Sequence, residues 1–252
     1  MSFSGNSLPA WRMVSGVMRK LAAVALLGSA SVASAGYVTS FDQTVLDDIF
    51  SQTSFGGYDI DIRFNAPLSI VAPIVADISS TAEFNGNNDF SLSWWANELA
   101  VPDFTVALFF VDTISFCGGP GSNIIGCGSR PGDMIALQSA AAAGSNGTVL
   151  FAHELGHNLG LTHLPVSGNL MNPSITGAST LNETQVGSFL DLTTGASLNS
   201  ILRNDGGQLY ISVTPIAVLA AAVPEPQTWA MMLAGLLGVA GWARRRQRAW
   251  ER

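Results

Sequence analysis

The stretch His153-Glu154-Leu155-Gly156-His157-Asn158-Leu159-Gly160-Leu161-Thr162-His163 reads H-E-x-x-H-x-x-G-x-x-H. Residues four apart on a helix share one face, so His153 and His157 can offer imidazole nitrogens to one metal ion. Glu154 lies one step round the helix, beside that ion and not on it, where a carboxylate suits a general base acting on water. Gly160 takes φ > 0 without steric cost, so the helix can stop there and the chain can turn back. The turn brings His163 in as a third ligand. Three protein nitrogens leave one tetrahedral position open, the mark of a catalytic zinc site and not a structural one. The chain has three histidines, and all of them fall in this stretch.

The motif resembles that of the metzincin clan of zinc endopeptidases. Gly168-Asn169-Leu170-Met171-Asn172-Pro173 looks like the methionine turn of that clan. The resemblance implies that Met171 floors the three histidines by packing and does not bind the metal. It implies an α+β fold: a twisted mixed sheet, an active-site helix and a small C-terminal subdomain. Two departures stand out. Pro173 holds the place where some metzincins carry a ligating tyrosine, and Leu164 after the third His matches none of the best-known subfamilies. No cysteine-switch segment is evident before Tyr58.

Upstream of the motif, Phe41, Val45, Leu46, Ile49 and Phe50 recur at helical spacing, and Ser40 or Asp42 can cap that helix. Tyr58 to Phe64 alternates like a strand. Pro67 to Ile78 reads as an edge strand or loop, because it holds Pro67 and Pro73. Glu83 to Asp89 reads as a turn. Ser91 to Leu99 reads as a short helix whose Trp94 and Trp95 belong to the core. Thr105 to Ile114 is a continuous apolar run, expected to be a strand buried on both faces. Asn123 to Cys127 and Asp133 to Gln138 read as further strands. The clan resemblance makes Ile124-Ile125-Gly126 the substrate-binding edge, where an extended peptide adds a strand; the residues alone equally suit an ordinary strand. Ala140 to Gly147 reads as a small-residue linker. Thr180 to Glu183 has capping-box spacing, opening a helix through Val186, Phe189 and Leu190. Gln208 to Val213 alternates as a late strand outside the family core.

The ends carry address signals. Arg12, Arg19 and Lys20 precede an apolar run from Leu21 to Val32 and then Ala33-Ser34-Ala35. This reads as a signal peptide over 1–35, removed by signal peptidase after Ala35, with Met13 or Met18 as possible starts. Residues 223–252 hold Pro224-Glu225-Pro226, an apolar span from Trp229 to Ala243, and Arg244, Arg245, Arg246 and Arg248. That order resembles the PEP-CTERM sorting signal of Gram-negative bacteria. It implies a transmembrane helix as a transient inner-membrane anchor, cut by an exosortase, with the arginines on the cytoplasmic side. The final location would be the cell surface or the extracellular space.

Between these ends, residues 36–222 form the expected metalloprotease domain. The body from Gly36 to Val223 holds three basic residues, Arg63, Arg130 and Arg203, against sixteen acids. That balance excludes nucleic acid and anionic membrane surfaces as partners. It allows calcium, although no Asp-rich loop has calcium-ligand spacing. Cys117 and Cys127 are the two cysteines, and an even pair in an exported chain reads as a disulfide. Such a short loop stabilises by about 2–3 kcal/mol. The function these residues favour is zinc-dependent cleavage of a peptide or protein substrate with Glu154 as base. The competing functions are a surface or biofilm-matrix protein with a structural or vestigial metal site, and zinc-dependent hydrolysis of something other than peptide.

Overall fold

A computed structural model describes residues 37–219, 232–237 and 239. The expected signal peptide, the Pro-Glu-Pro triplet, the arginine cluster and most of the apolar span lie outside the described residues. Residues 232–237 are helical, but no helix among the described residues is long and apolar enough to cross a membrane. Residues 37–219 belong to one compact unit.

The first helix, α1 (Gln43–Phe50), is capped by Asp42, whose carboxylate accepts from the N–H groups of Thr44 and Val45. Its Leu46, Ile49 and Phe50 are fully buried, as their spacing predicts. Strand β1 (Ile60–Phe64) follows, then β2 (Leu68–Val71), a 3-10 turn over Pro73–Ala76 and the short β3 (Asp77–Ile78). The segment read as a turn from Glu83 begins as helix α2 (Thr81–Asn85), because Ser80 caps it by accepting from the Glu83 N–H. Helix α3 (Leu92–Glu98) forms as expected, but Trp94 and Trp95 are only half-buried. They pack edge-on to each other 4.9 Å apart, and the Trp95 indole N–H donates to the Asp89 carbonyl. Leu92 is the core residue of that helix.

The apolar run splits at Asp112 into β4 (Thr105–Val111) and β5 (Thr113–Phe116), which lie in different sheets. Every residue of β4 is buried. Val106, Leu108 and Phe110 face one cluster, with α1; Ala107, Phe109 and Val111 face another, with Phe84 and Leu92. A strand covered on both sides reads as a continuous apolar run for this reason. β5 pairs with β3 and with β6 (Pro120–Ile124) in a three-stranded sheet. The chain then returns to the main sheet as β7 (Gly126–Gly128) and β8 (Met134–Gln138).

The small-residue linker is partly ordered as a helical turn, α4 (Ser139–Ala142), and the next helix, α5 (Gly147–Asn158), carries the first two histidines. Every residue of α5 except Thr148 is buried, so it runs through the core and not over the surface. Phe41 stacks on Phe151 at 4.7 Å and ties the start of α1 to this helix. After α5 the chain makes turns and isolated bridges as far as Leu202. The expected closing helix is short: α6 covers only Glu183–Val186. Its capping box is Asn182 with Gln185, two residues later than the Thr180–Glu183 spacing suggested.

The largest correction concerns the end of the domain. After β9 (Arg203–Asp205), the late strand expected over Gln208–Val213 runs on to Leu219 as β10. It is central to the seven-stranded sheet, whose order is β1-β10-β4-β8-β7, with β2 and β9 also paired to β10. β10 runs parallel to β1, β2 and β4, and β4 parallel to β8; β7 and β9 are antiparallel to their neighbours. Pro215 is tolerated in mid-sheet because one neighbour changes there: β1 pairs up to Val213 and β2 from Ile216. Asn65 spans the gap, its side-chain amide donating to the Thr214 hydroxyl at 2.9 Å.

Candidate metal centre and substrate groove

α5 ends where Gly160 sits. Its φ is +97°. The Gly160 N–H donates to the His157 carbonyl at 2.8 Å and the Leu161 N–H to the Gly156 carbonyl at 2.9 Å. This pair of bonds is a Schellman closure, and it reverses the chain within one turn. His163 is thereby carried back to the two helical histidines.

The three Nε2 atoms converge. That of His163 lies 3.3 Å from that of His153 and 3.1 Å from that of His157. A tetrahedral zinc with ligands at about 2.0–2.1 Å holds its nitrogens roughly 3.3–3.4 Å apart, so the cluster fits the ion. The opposite ring nitrogens are fixed. His153 Nδ1 donates to the Leu170 carbonyl at 2.7 Å, and His157 Nδ1 donates to the Leu161 carbonyl at 2.8 Å. A carbonyl can only accept, so the proton sits on Nδ1 and the Nε2 lone pair is free for a metal. Burial pushes the His153 imidazole down to about 4, and burial also lowers His157 and His163. Neutral imidazole is the ligating form.

Glu154 is 5 % exposed, and burial pushes its carboxyl up to about 8, opposed by a hydrogen bond from the Gly128 N–H. A divalent cation on the adjacent histidines is the charge that reverses this shift. The carboxylate lies directly against β7. A Cβ built on Gly126 would stand 2.5 Å from Glu154 Oε1, and one on Gly128 would stand 2.6 Å from the Glu154 carbonyl. Neither position of β7 has room for a side chain.

Met171 is fully buried below the histidines. A Cβ on Gly156 would stand 2.5 Å from its sulfur, so the glycine inside the H-E-x-x-H stretch makes room for the thioether. The turn does more than pack. The Leu170 carbonyl orients His153, and the Asn169 side-chain oxygen accepts from the Met171 N–H at 2.9 Å. Asn169 and Gln185 exchange paired amide hydrogen bonds at 2.8 and 3.1 Å, so α6 braces the turn from behind.

The clan-derived edge of Ile124, Ile125 and Gly126 is divided between two sheets. Ile124 ends β6, the Ile125 carbonyl accepts from the Gln138 N–H at 2.9 Å, and Gly126 begins β7. Among the described residues β7, Gly126–Gly128, is the edge of the main sheet that lies beside α5; β1 and β2 form the other edge. Cys117 and Cys127 form the disulfide and join β7 to the three-stranded sheet. Two clefts of about 340 and 330 Å³ share Cys117, His157 and His163 and so form two halves of one groove. Glu154, Leu150, Pro173 and Ile175 line one half; Gly128, Arg130, Phe84 and Phe116 line the other.

Sequence reading gave no role to Gly128, Gly156, Asn158 or Arg130, and placed Gly126 only in the expected substrate-binding edge and Asn169 only within the methionine turn. Only the two glycines flanking Cys127 carried a legible signal, since alternate glycines in a strand mark a close backbone approach.

No curated protein and no solved structure matches the chain significantly. Residues 222–248 match the PEP-CTERM protein-sorting motif, and residues 42–187 match the Matrixin family. The matched span takes in the histidine cluster, the methionine turn and every strand of the sheet except β9 and β10. By that match the chain belongs to the matrixin family of zinc metalloproteases, within the metzincin clan.

Proposed function

We propose that the chain is an exported zinc endopeptidase in which His153, His157 and His163 hold the metal and Glu154 is the general base. The observation that carries this reading is the position of the buried Glu154 carboxylate, between the histidine cluster and the open edge of β7. An extended peptide adds to that edge through its main chain. Zinc, when bound, supplies Lewis acidity at the scissile carbonyl and lowers the pKa of water. Glu154 accepts the proton of the attacking water and delivers it to the leaving amine. The Gly128 N–H holds the carboxylate in place, and the absence of side chains at Gly126 and Gly128 lets the strand lie against it.

The proposed boundaries are a signal peptide over 1–35, the protease domain over 36–222 and the sorting signal over 223–252. The sorting motif supports processing by an exosortase-type enzyme after transient membrane anchoring. Mass spectrometry of the mature protein is expected to find a start near Gly36 and an end close to Pro224; an intact arginine tail on surface protein would mean a permanent anchor.

The deciding experiment compares wild type with Glu154→Gln on casein-like and extended-peptide substrates. The variant keeps its zinc, because Glu154 is not a ligand, and loses about 10²–10⁴-fold in hydrolysis. If both proteins bind zinc and are equally inert, the endopeptidase reading fails and a vestigial site in a surface or matrix protein takes its place. Elemental analysis should find zinc lost from His153→Ala, His157→Ala and His163→Ala.

A further inference from the structure

Arg130 is one of three basic residues between Gly36 and Val223, among sixteen acids. The other two are engaged: Arg63 pairs with Asp61 and Asp205, and Arg203 lies over the Phe104 ring. Arg130 forms no ion pair among the described residues. It is exposed, and it lines the groove together with His157 and His163. No carboxylate lines that half of the groove. An acidic protein therefore presents a bare guanidinium beside its metal centre, on the side away from the Leu150 and Ile175 wall.

The backbone that carries Arg130 is held firmly. Asn158, the fully buried last residue of α5, donates to the Ser129 carbonyl at 2.8 Å and to the Met134 carbonyl at 3.1 Å. The Asn158 carbonyl accepts from the Gly132 N–H at 3.2 Å. Ser129 and Met134 close the loop between them through their own hydrogen bonds. Residues 129–134 are thus fastened to the residue next to His157, and the position of Arg130 is tied to the metal ligands.

We infer that Arg130 is a specificity-determining residue that selects a substrate with an acidic side chain on the Arg130 side of the scissile bond. The planar guanidinium matches a carboxylate with two parallel hydrogen bonds, and the groove offers no competing protein carboxylate. This inference rests on the endopeptidase reading for the word substrate, but the preference itself belongs to the groove.

The test uses full-length processed protein loaded with zinc, and extended peptides carrying Asp, Asn or Lys at each position on either side of the cleaved bond. Wild type should favour Asp over Asn at one position by about 3–10-fold in kcat/KM, a range set by an exposed but well-oriented pair. Arg130→Gln should remove that preference and leave the all-neutral peptide nearly unchanged. Arg130→Glu should turn it into a preference for Lys. The same peptides are titrated by fluorescence anisotropy against zinc-loaded Glu154→Gln, with and without Arg130→Gln. There the Asp preference should weaken as salt rises. Equal losses on acidic and neutral peptides would overturn the inference and make Arg130 a general stabiliser of the reaction. Efficient cleavage with no charge preference would overturn it and leave the endopeptidase reading standing. Acid-selective binding without cleavage would sustain it and sink the endopeptidase reading. Absence of both cleavage and binding would sink the two together.

Discussion

Gly156 and Met171 fit each other as a pair. The helix can be hydrogen-bonded with alanine at 156, and alanine is the better helix former. Glycine is there because the sulfur of Met171 occupies the space of the missing methyl. Gly156→Ala is expected to destabilise the protein by about 1–3 kcal/mol through overpacking, and Met171→Ala in the same chain should recover part of that loss. Denaturant melts of the two singles and the double variant measure the coupling. The ionisable groups of the site make a second residue-level prediction. Glu154 is raised to about 8 in the folded, metal-free protein, above its ordinary 4.5. The folded state then binds more protons than the unfolded chain between those values, so metal-free stability falls as pH rises through 8. The depressed His153 acts in the opposite sense, removing stability as pH falls from its ordinary 6.5 toward about 4. Thermal melts of chelator-treated protein should therefore show a decline from pH 6.5 to 8 that is absent in Glu154→Gln. An equal decline in both proteins would show that another group is responsible. The histidine cluster and Glu154 could be read from spacing because they lie within eleven positions of one another on a helix and its return turn. What the glycines of β7 approach could not, because the atoms that exclude a side chain at Gly126 come from Glu154, an element away.

Strand β7 is three residues long, and three connections keep it in place: its ladder to β8, the disulfide from Cys127 and the contact with α5. The strand pairing alone is a weak anchor for an edge of three residues. Replacing both cysteines by serine should cost about 2–3 kcal/mol of stability, by loop closure. It should also raise KM for extended peptides more than it lowers kcat, since the groove lip shared by both clefts is released. Asn158→Ala should cost about 1–3 kcal/mol by leaving the Ser129 carbonyl without its donor, with the Ser129 end of the loop loosened most. Element boundaries in this region were only half legible. The Thr105–Ile114 run gave its strand character but hid the break at Asp112, because both segments are apolar and change sheets without a glycine or proline between them. The 123–127 segment was read as one strand, whereas its halves pair in different sheets; Asn123 at φ +62° turns the chain shortly before the change. α6 was expected to be longer because Phe189 and Leu190 keep helical spacing, yet they are buried from turns and bridges instead.

For the molecule as a whole, β10 decides the architecture. Its alternation at Leu209, Ile211 and Val213 made it recognisable as a strand, but its partners were not legible. Strand pairing is non-local, and no spacing in the sequence says that residues 208–219 lie between β1 and β4. Pro215 argued against a central position, and only the exchange of β1 for β2 along one side of the strand permits it. A chain ending at Asp205 is expected to lack a cooperative unfolding transition and to bind no zinc stoichiometrically, whereas one ending at Val223 should melt cooperatively and bind zinc. Calorimetry and elemental analysis on the two chains check this. If the shorter chain keeps its zinc and a sharp melt, the central role given to β10 is wrong.

The position of that strand sets an order of events during synthesis. A ribosome delivers the metal-binding helix, ending at Asn158, and the methionine turn well before it delivers Gln208–Leu219. Until then β1 and β4 have no strand to join them, and the groove has no completed sheet behind it. A nascent or interrupted chain thus holds all three histidines and Glu154 without the strand that joins β1 to β4. The sheet is completed only as this last strand is added, just ahead of the sorting motif at 222–248.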